Sequence, residues 1–122
     1  MQIIENYEKR YVLKIDTNGK INKIEINVNS IAEIVRTDLG CGFEIVCPRG
    51  LGSGYFMLVD ARGVLKDLDT NVVGSYLYGT HEHGIPIVGP IYILRNIDGN
   101  FVGLSEKKLL DFQERFKSLK LI

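Results

Sequence analysis

From Tyr11 the chain alternates: Tyr11, Leu13 and Ile15 share one parity with Val12, Lys14 and Asp16 on the other, and beyond Thr17-Asn18-Gly19-Lys20 the residues Ile24, Ile26 and Val28 alternate with Lys23, Glu25 and Asn27. A period of two on both sides of a turn signal predicts a β-hairpin. Asn18-Gly19 is a preferred pair for a type I′ turn, whose central residues both need positive φ. The period then lengthens. Ser30-Ile31-Ala32-Glu33 has the form of a capping box, in which the Ser hydroxyl accepts from the N3 amide and the Glu carboxylate reaches back to the cap amide. Ile31, Ile34, Val35 and Leu39 follow at helical spacing, and Gly40 is placed to stop that helix in a left-handed conformation.

Residues 43–47 and Tyr55–Asp60 are short apolar runs separated by the Gly-rich loop 48–54, which predicts a second hairpin with a wide connection. Cys47, at the end of the first run, is expected to be a buried strand residue. Ala61-Arg62-Gly63 turns the chain out of the sheet. Asp69 or Thr70 then caps a helix carrying Val72, Val73, Tyr76 and Leu77 on one face, with Gly79 past its end and Gly74 costing about 1 kcal/mol inside it. Thr80-His81-Glu82-His83-Gly84-Ile85 reads as a polar loop.

Residues 86–116 read as strand, tight turn, short strand and closing helix. The run Ile87, Val88, Ile91, Tyr92, Ile93, Leu94 is apolar at both parities, the pattern of a central strand covered on both faces. Pro90 cannot donate to a ladder, so it calls for a bulge or an unpaired position within that strand. Asp98-Gly99 marks the turn, residues 101–104 the return, and Ser105 the cap of a helix whose Leu109, Phe112, Phe116 and Leu119 form a stripe. That stripe, beside Lys107, Lys108, Arg115 and Lys117, is read as a core face, with a homo-oligomer seam as its other use.

The element order is β-β-α-β-β-α-β-β-α. It predicts one α+β domain over residues 1–122, with a mostly antiparallel sheet from three β-hairpins and short helices packed on it. Helices separate the hairpins, so strand order is left open.

Composition narrows the chemistry. Of 122 residues, 45% are hydrophobic and 25% charged, as in an ordinary globular domain. Fifteen basic against fifteen acidic residues give a net charge of +0, so general nucleic-acid binding is not expected. No apolar run is long enough to span a membrane, and the start MQIIENYEKR lacks a signal peptide's pattern, so a cytoplasmic protein without membrane contact is expected.

The run GYFMLVDARGVLKDLDTN, then YLYG, IPIVGPIYILR and DGNFVGLSEKKL, resembles an uncharacterised family, domain of unknown function family 3846, found in phages, plasmids and conjugative elements of Gram-positive bacteria. The marks are Asp60 with Gly63 after it, Leu65 and Leu68 before Asn71, then Ile87-Val88-Gly89 and Gly103-Leu104-Ser105, over roughly residues 21–116. The resemblance implies a mobile-element accessory protein acting in the host cytoplasm, with counter-defence as the expected role. It brings no catalytic residues.

Several residues carry candidate chemistry. In Pro48-Arg49-Gly50-Leu51-Gly52-Ser53-Gly54, free backbone N–H groups around Gly52 and Ser53 would make an anion cradle with Arg49 as a fork, and the plainer reading is a flexible hairpin loop. Tyr76, Tyr78, His81 and His83 would stack on and hydrogen-bond a nucleobase or ribose, against a plain solvated loop. Arg62 and Arg95 are expected near one end of the sheet, where convergence with Arg49 would form a phosphate-sized pocket; otherwise they are solvated turn arginines. His81, His83, Cys41 and Cys47 lack zinc-ligand spacing, so no metal and no cofactor is expected. Asp60, Asp67 and Asp69 are more simply turn caps than an acid/base pair. No nucleophile-base pair is identifiable. The expectation is a binding protein, not an enzyme, that captures a nucleotide-derived signal, or alternatively inhibits a host defence nuclease or restriction complex through an apolar patch.

Overall fold

The computed structural model describes residues 9–27 and 29–122. Val28, assigned above to an alternating strand, and residues 1–8 of the N-terminal reading lie outside the described residues. The elements are β1 (Tyr11–Ile15), β2 (Ile21–Glu25), α1 (Ile31–Leu39), β3 (Phe43–Val46), a 3-10 turn (Arg49–Leu51), β4 (Tyr55–Asp60), α2 (Val72–Tyr78), α3 (Thr80–His83), β5 (Ile91–Ile97), β6 (Asn100–Val102) and α4 (Glu106–Ser118). The three hairpins join in one six-stranded antiparallel sheet of order β2-β1-β5-β4-β3, with β6 also on β5. The class is α+β, as the element order predicts.

β5 is the axis of the molecule. Its Ile91 pairs with Ile15 on one side and Val59 on the other, while Arg95 pairs with Val102 and Tyr55. β1 and β6 therefore lie end to end along one edge of β5, joined by reciprocal bonds between Tyr11 and Leu104 (2.9 and 2.7 Å). Alternation sends Ile91 and Ile93 to the face covered by α2 and α4, and Tyr92 and Leu94 to the face covered by α1. All four are fully buried, which explains why the run is apolar at both parities. The strand nevertheless starts only after Pro90: Ile87 and Val88 belong to the approach, where Gly89 at φ 81 turns the chain into the sheet. Pro90 thus needs no bulge.

The first hairpin turn departs from type I′. Gly19 has φ 85 but Asn18 has no positive φ; Gly19 N–H donates to Asp16 O (2.9 Å), giving a three-residue loop closed by a left-handed glycine. Asp98-Gly99, with φ 54 and 84, is the two-residue type I′ turn. Ser30 caps α1 through Glu33 N–H, although the Glu33 carboxylate accepts from the Ser30 hydroxyl (3.1 Å) and not from the cap amide. α2 is capped by Asn71, whose side chain accepts from Gly74 N–H, and not by Asp69 or Thr70. Val73 and Leu77 face the core while Val72 and Tyr76 are exposed. Gly74 is there for proximity: a Cβ would meet Ile91 Cγ2 at 2.9 Å. Thr80-His81-Glu82-His83 is a helical turn, not a loop. In α4, Leu109, Phe112 and Phe116 are buried against the sheet, and Leu119 is left exposed past the last turn.

Candidate functional site

Two ends of α2 gather most of the chain's unusual polar groups. At its N-terminus the fully buried Asn71 amide donates to Ile15 O and Gly89 O (both 3.0 Å) while its oxygen caps the helix. One side chain therefore ties β1, α2 and the entry to β5. Gly63 and Gly89 crowd into the same corner: an added Cβ would meet Val88 Cγ2 at 2.9 Å and Leu68 Cδ1 at 2.8 Å. Asp60, at the end of β4, accepts from Arg62 N–H (2.7 Å), Lys66 Nζ (2.7 Å) and Cys41 Sγ (3.1 Å). Burial pushes the Asp60 carboxyl upward, but these donors outweigh it and hold the group below its ordinary range. It is a turn cap, bonded to neither Asp67 nor Asp69 among the described residues.

At the other end, Gly79 at φ 84 ends α2 and opens α3. His83 folds back: Ile85 N–H donates to Nδ1 (3.0 Å), so Nε2 carries the hydrogen and donates to Tyr78 O (3.1 Å). Its ring meets the Tyr78 ring edge-on at 4.8 Å, and His81 stacks on Tyr76 at 6.2 Å. The 3-10 turn docks against this end because Leu51 is buried in the core and Gly50 abuts the Leu77 backbone, where a Cβ would stand 2.8 Å from Leu77 Cα. Arg115, from α4, donates to Gly50 O at 2.6 Å. Together they surround a cavity of about 240 Å³ lined by Arg49, Arg115, Tyr76, His81, Glu82 and His83, among others. The Arg49 guanidinium has no hydrogen bond or ion pair among the described residues. The cavity thus offers a free planar cation, an exposed Tyr76–His81 pair and the His83 ring against half-buried Tyr78, with Glu82 3.6 Å from His81.

The fold brings together Arg49, Tyr76, Tyr78, His81 and His83, and it disperses the rest. Arg62 and Arg95 lie at opposite ends of the sheet, because β4 and β5 run antiparallel and the exit of β4 borders the start of β5. Gly52 and Ser53 are exposed at the loop tip, away from the cavity lining. The loop is no open nest: Leu51 N–H and Gly52 N–H are spent on Pro48 O and Arg49 O (both 3.1 Å). Arg115 was hidden from sequence reasoning, since it lies on the last helix and no local pattern pairs it with Arg49.

Cys47 is exposed because edge strand β3 ends before it, while Cys41 stays half-buried beside Asp60. Among the described residues no group of three His, Cys, Asp or Glu side chains could hold a metal ion, and no helix is long and apolar enough to cross a membrane. A second, more apolar groove of about 410 Å³ runs beside β3, rimmed by Val64, Leu65 and Ile85. Comparison of the chain with protein-family models, curated proteins and solved structures found no match.

Proposed function

We propose that this chain is a binding protein rather than an enzyme, an accessory protein of a mobile element of the kind family 3846 represents, which works in the host cytoplasm by capturing a nucleotide-derived signal. The observation that carries this reading is the convergence of Arg49 with Tyr76, His81, His83 and Arg115 on one cavity. Arg49 supplies a bidentate fork for phosphate, and the Tyr76–His81 pair supplies a surface for a base. At about 240 Å³ the cavity is smaller than the roughly 300–1,000 Å³ of whole-ligand pockets, so it holds a phosphate and part of one ring while the remainder lies over the exposed aromatics.

Calorimetry and native mass spectrometry against cyclic nucleotides and ADP-ribose derivatives test the proposal. Stoichiometric binding that weakens about tenfold or more in Arg49→Ala is expected, in line with loss of a charged hydrogen bond; a folded protein that binds none of them refutes it. The second reading, a protein that inhibits a host defence complex, is favoured by the apolar groove beside β3, whose rim residues Val64 and Leu65 are 83% and 85% exposed. Recovery of a stoichiometric protein partner insensitive to Arg49→Ala would select it.

A further inference from the structure

The sheet order leaves β3 with a neighbour on one side only. Ala61 N–H donates to Gly42 O, which sets the phase of the β3–β4 ladder: Gly42, Glu44 and Val46 turn their backbone groups towards β4, and Phe43 and Ile45 turn theirs outward. Such an edge is a template for another strand unless something blunts it. Natural edges are guarded by short length, charge, Pro or a bulge, and β3 has the first two in its four residues and Glu44, without Lys, Pro or a bulge. Here the outward residue Ile45 is 52% exposed and apolar.

The apolar groove adjoins this edge. Buried Val59 and Ile87 form its base, and Val64, Leu65 and Ile85, at 83%, 85% and 59% exposure, stand on its rim. Charge selects the occupant. Asp60 in the groove wall is already compensated by Lys66 at 2.7 Å, but Glu44 is exposed and has no hydrogen bond or ion pair among the described residues. A second copy paired through β3 would bring another uncompensated Glu44 into the same interface, where like charges repel. A segment with a Lys or Arg placed to meet Glu44 and apolar residues on either side satisfies the edge, the groove and the charge together.

We propose that β3 and its groove take an extended apolar segment of another protein, carrying one basic residue, as an added strand. The inference rests on the second of the two readings above, and it names the partner's chemistry. Main-chain bonds to Phe43 and Ile45 give register, the rim gives apolar contact, and Glu44 selects the basic residue.

The test is an array of strand-length peptides (about ten residues) alternating Val and Thr, with Lys, Glu or Thr at the centre, probed with the full chain. Lys peptides are expected to bind about tenfold more tightly than Glu peptides, with that preference lost in Glu44→Gln. Ile45→Pro, which removes the outward N–H, should abolish binding, and Val64→Ser with Leu65→Ser should weaken it about tenfold without touching the ladder. Circular dichroism confirms that each variant is folded. No peptide binding by the folded protein, or binding unchanged in the Val64/Leu65 variant, overturns the proposal; so does a sedimenting dimer that Ile45→Pro dissociates, which would make a second copy the occupant. Cyclic nucleotide binding is measured on the same variants, so failure at β3 stays separate from failure at Arg49.

Discussion

The two ends of α2 are built on opposite principles, although a single turn or two of helix separates them. At the N-terminus Asn71 is fully buried with three hydrogen-bond partners, packed glycines around it and an ion pair behind it. At the C-terminus Tyr76, His81 and His83 stand in solvent, and Arg49 is uncommitted. The first end exists because burying an amide is tolerable only when every polar atom is paired. At the second end, among the described residues, only Leu51, Leu77 and part of Tyr78 reach the core, and the exposed side chains around them are not fixed by packing. Asp60, Gly63, Asn71 and Gly89 all belong to the structural end, where they shape the fold.

The contrast can be broken most sharply at Asn71. Asn71→Ala removes a cap and strands the Gly74 amide and two buried carbonyls, for an expected loss of about 3 kcal/mol or more in denaturant unfolding. A cost below about 1 kcal/mol would show that water replaces the amide. Gly74→Ala should come next: the methyl group collides with Ile91 and Ile87, and the net loss is about 1–2 kcal/mol despite better helix propensity.

Acid probes the Asp60 support of the same corner. Because its folded carboxyl titrates below the unfolded value near 3.8, its stabilisation is complete above that pH and is lost as pH falls through the folded value. Asp60→Asn should therefore flatten the decline in stability below about pH 4. At the opposite end, His83→Ala forfeits two exposed hydrogen bonds and should cost about 1 kcal/mol or less. Smallest of all, Arg49→Ala should leave thermal unfolding within about 0.5 kcal/mol of the parent while weakening the proposed ligand binding about tenfold or more, as expected of a side chain that contributes little to the fold.

Local patterns were legible where the cause is local. The Ser30 and Ser105 caps, the Gly40 and Gly79 stops, the three hairpins and the doubly buried run of β5 all follow from spacing that neighbours within a few residues enforce. Reading failed where a distant contact decided. Asp69 or Thr70 is the expected cap of α2, but the bridge to the approach of β5, through Asn71 N–H to Ile87 O and Gly89 N–H to Asp69 O, holds both in extended chain and leaves Asn71 to cap the helix. Cys47 looked buried until β3 became an edge, and Asn18-Gly19 signalled the turn but not its type.

The sequence by itself determined the α+β class, the hairpin-helix order and a central strand covered on both faces within residues 86–116, because periodicity and capping act over a few residues. Tertiary structure alone decided that β1 and β6 share one edge of β5, that Arg62 and Arg95 part company, and that Arg115 joins Arg49. The reason is antiparallel pairing and helix docking: they set which strand end meets which helix end, and no residue carries that information in its own neighbourhood.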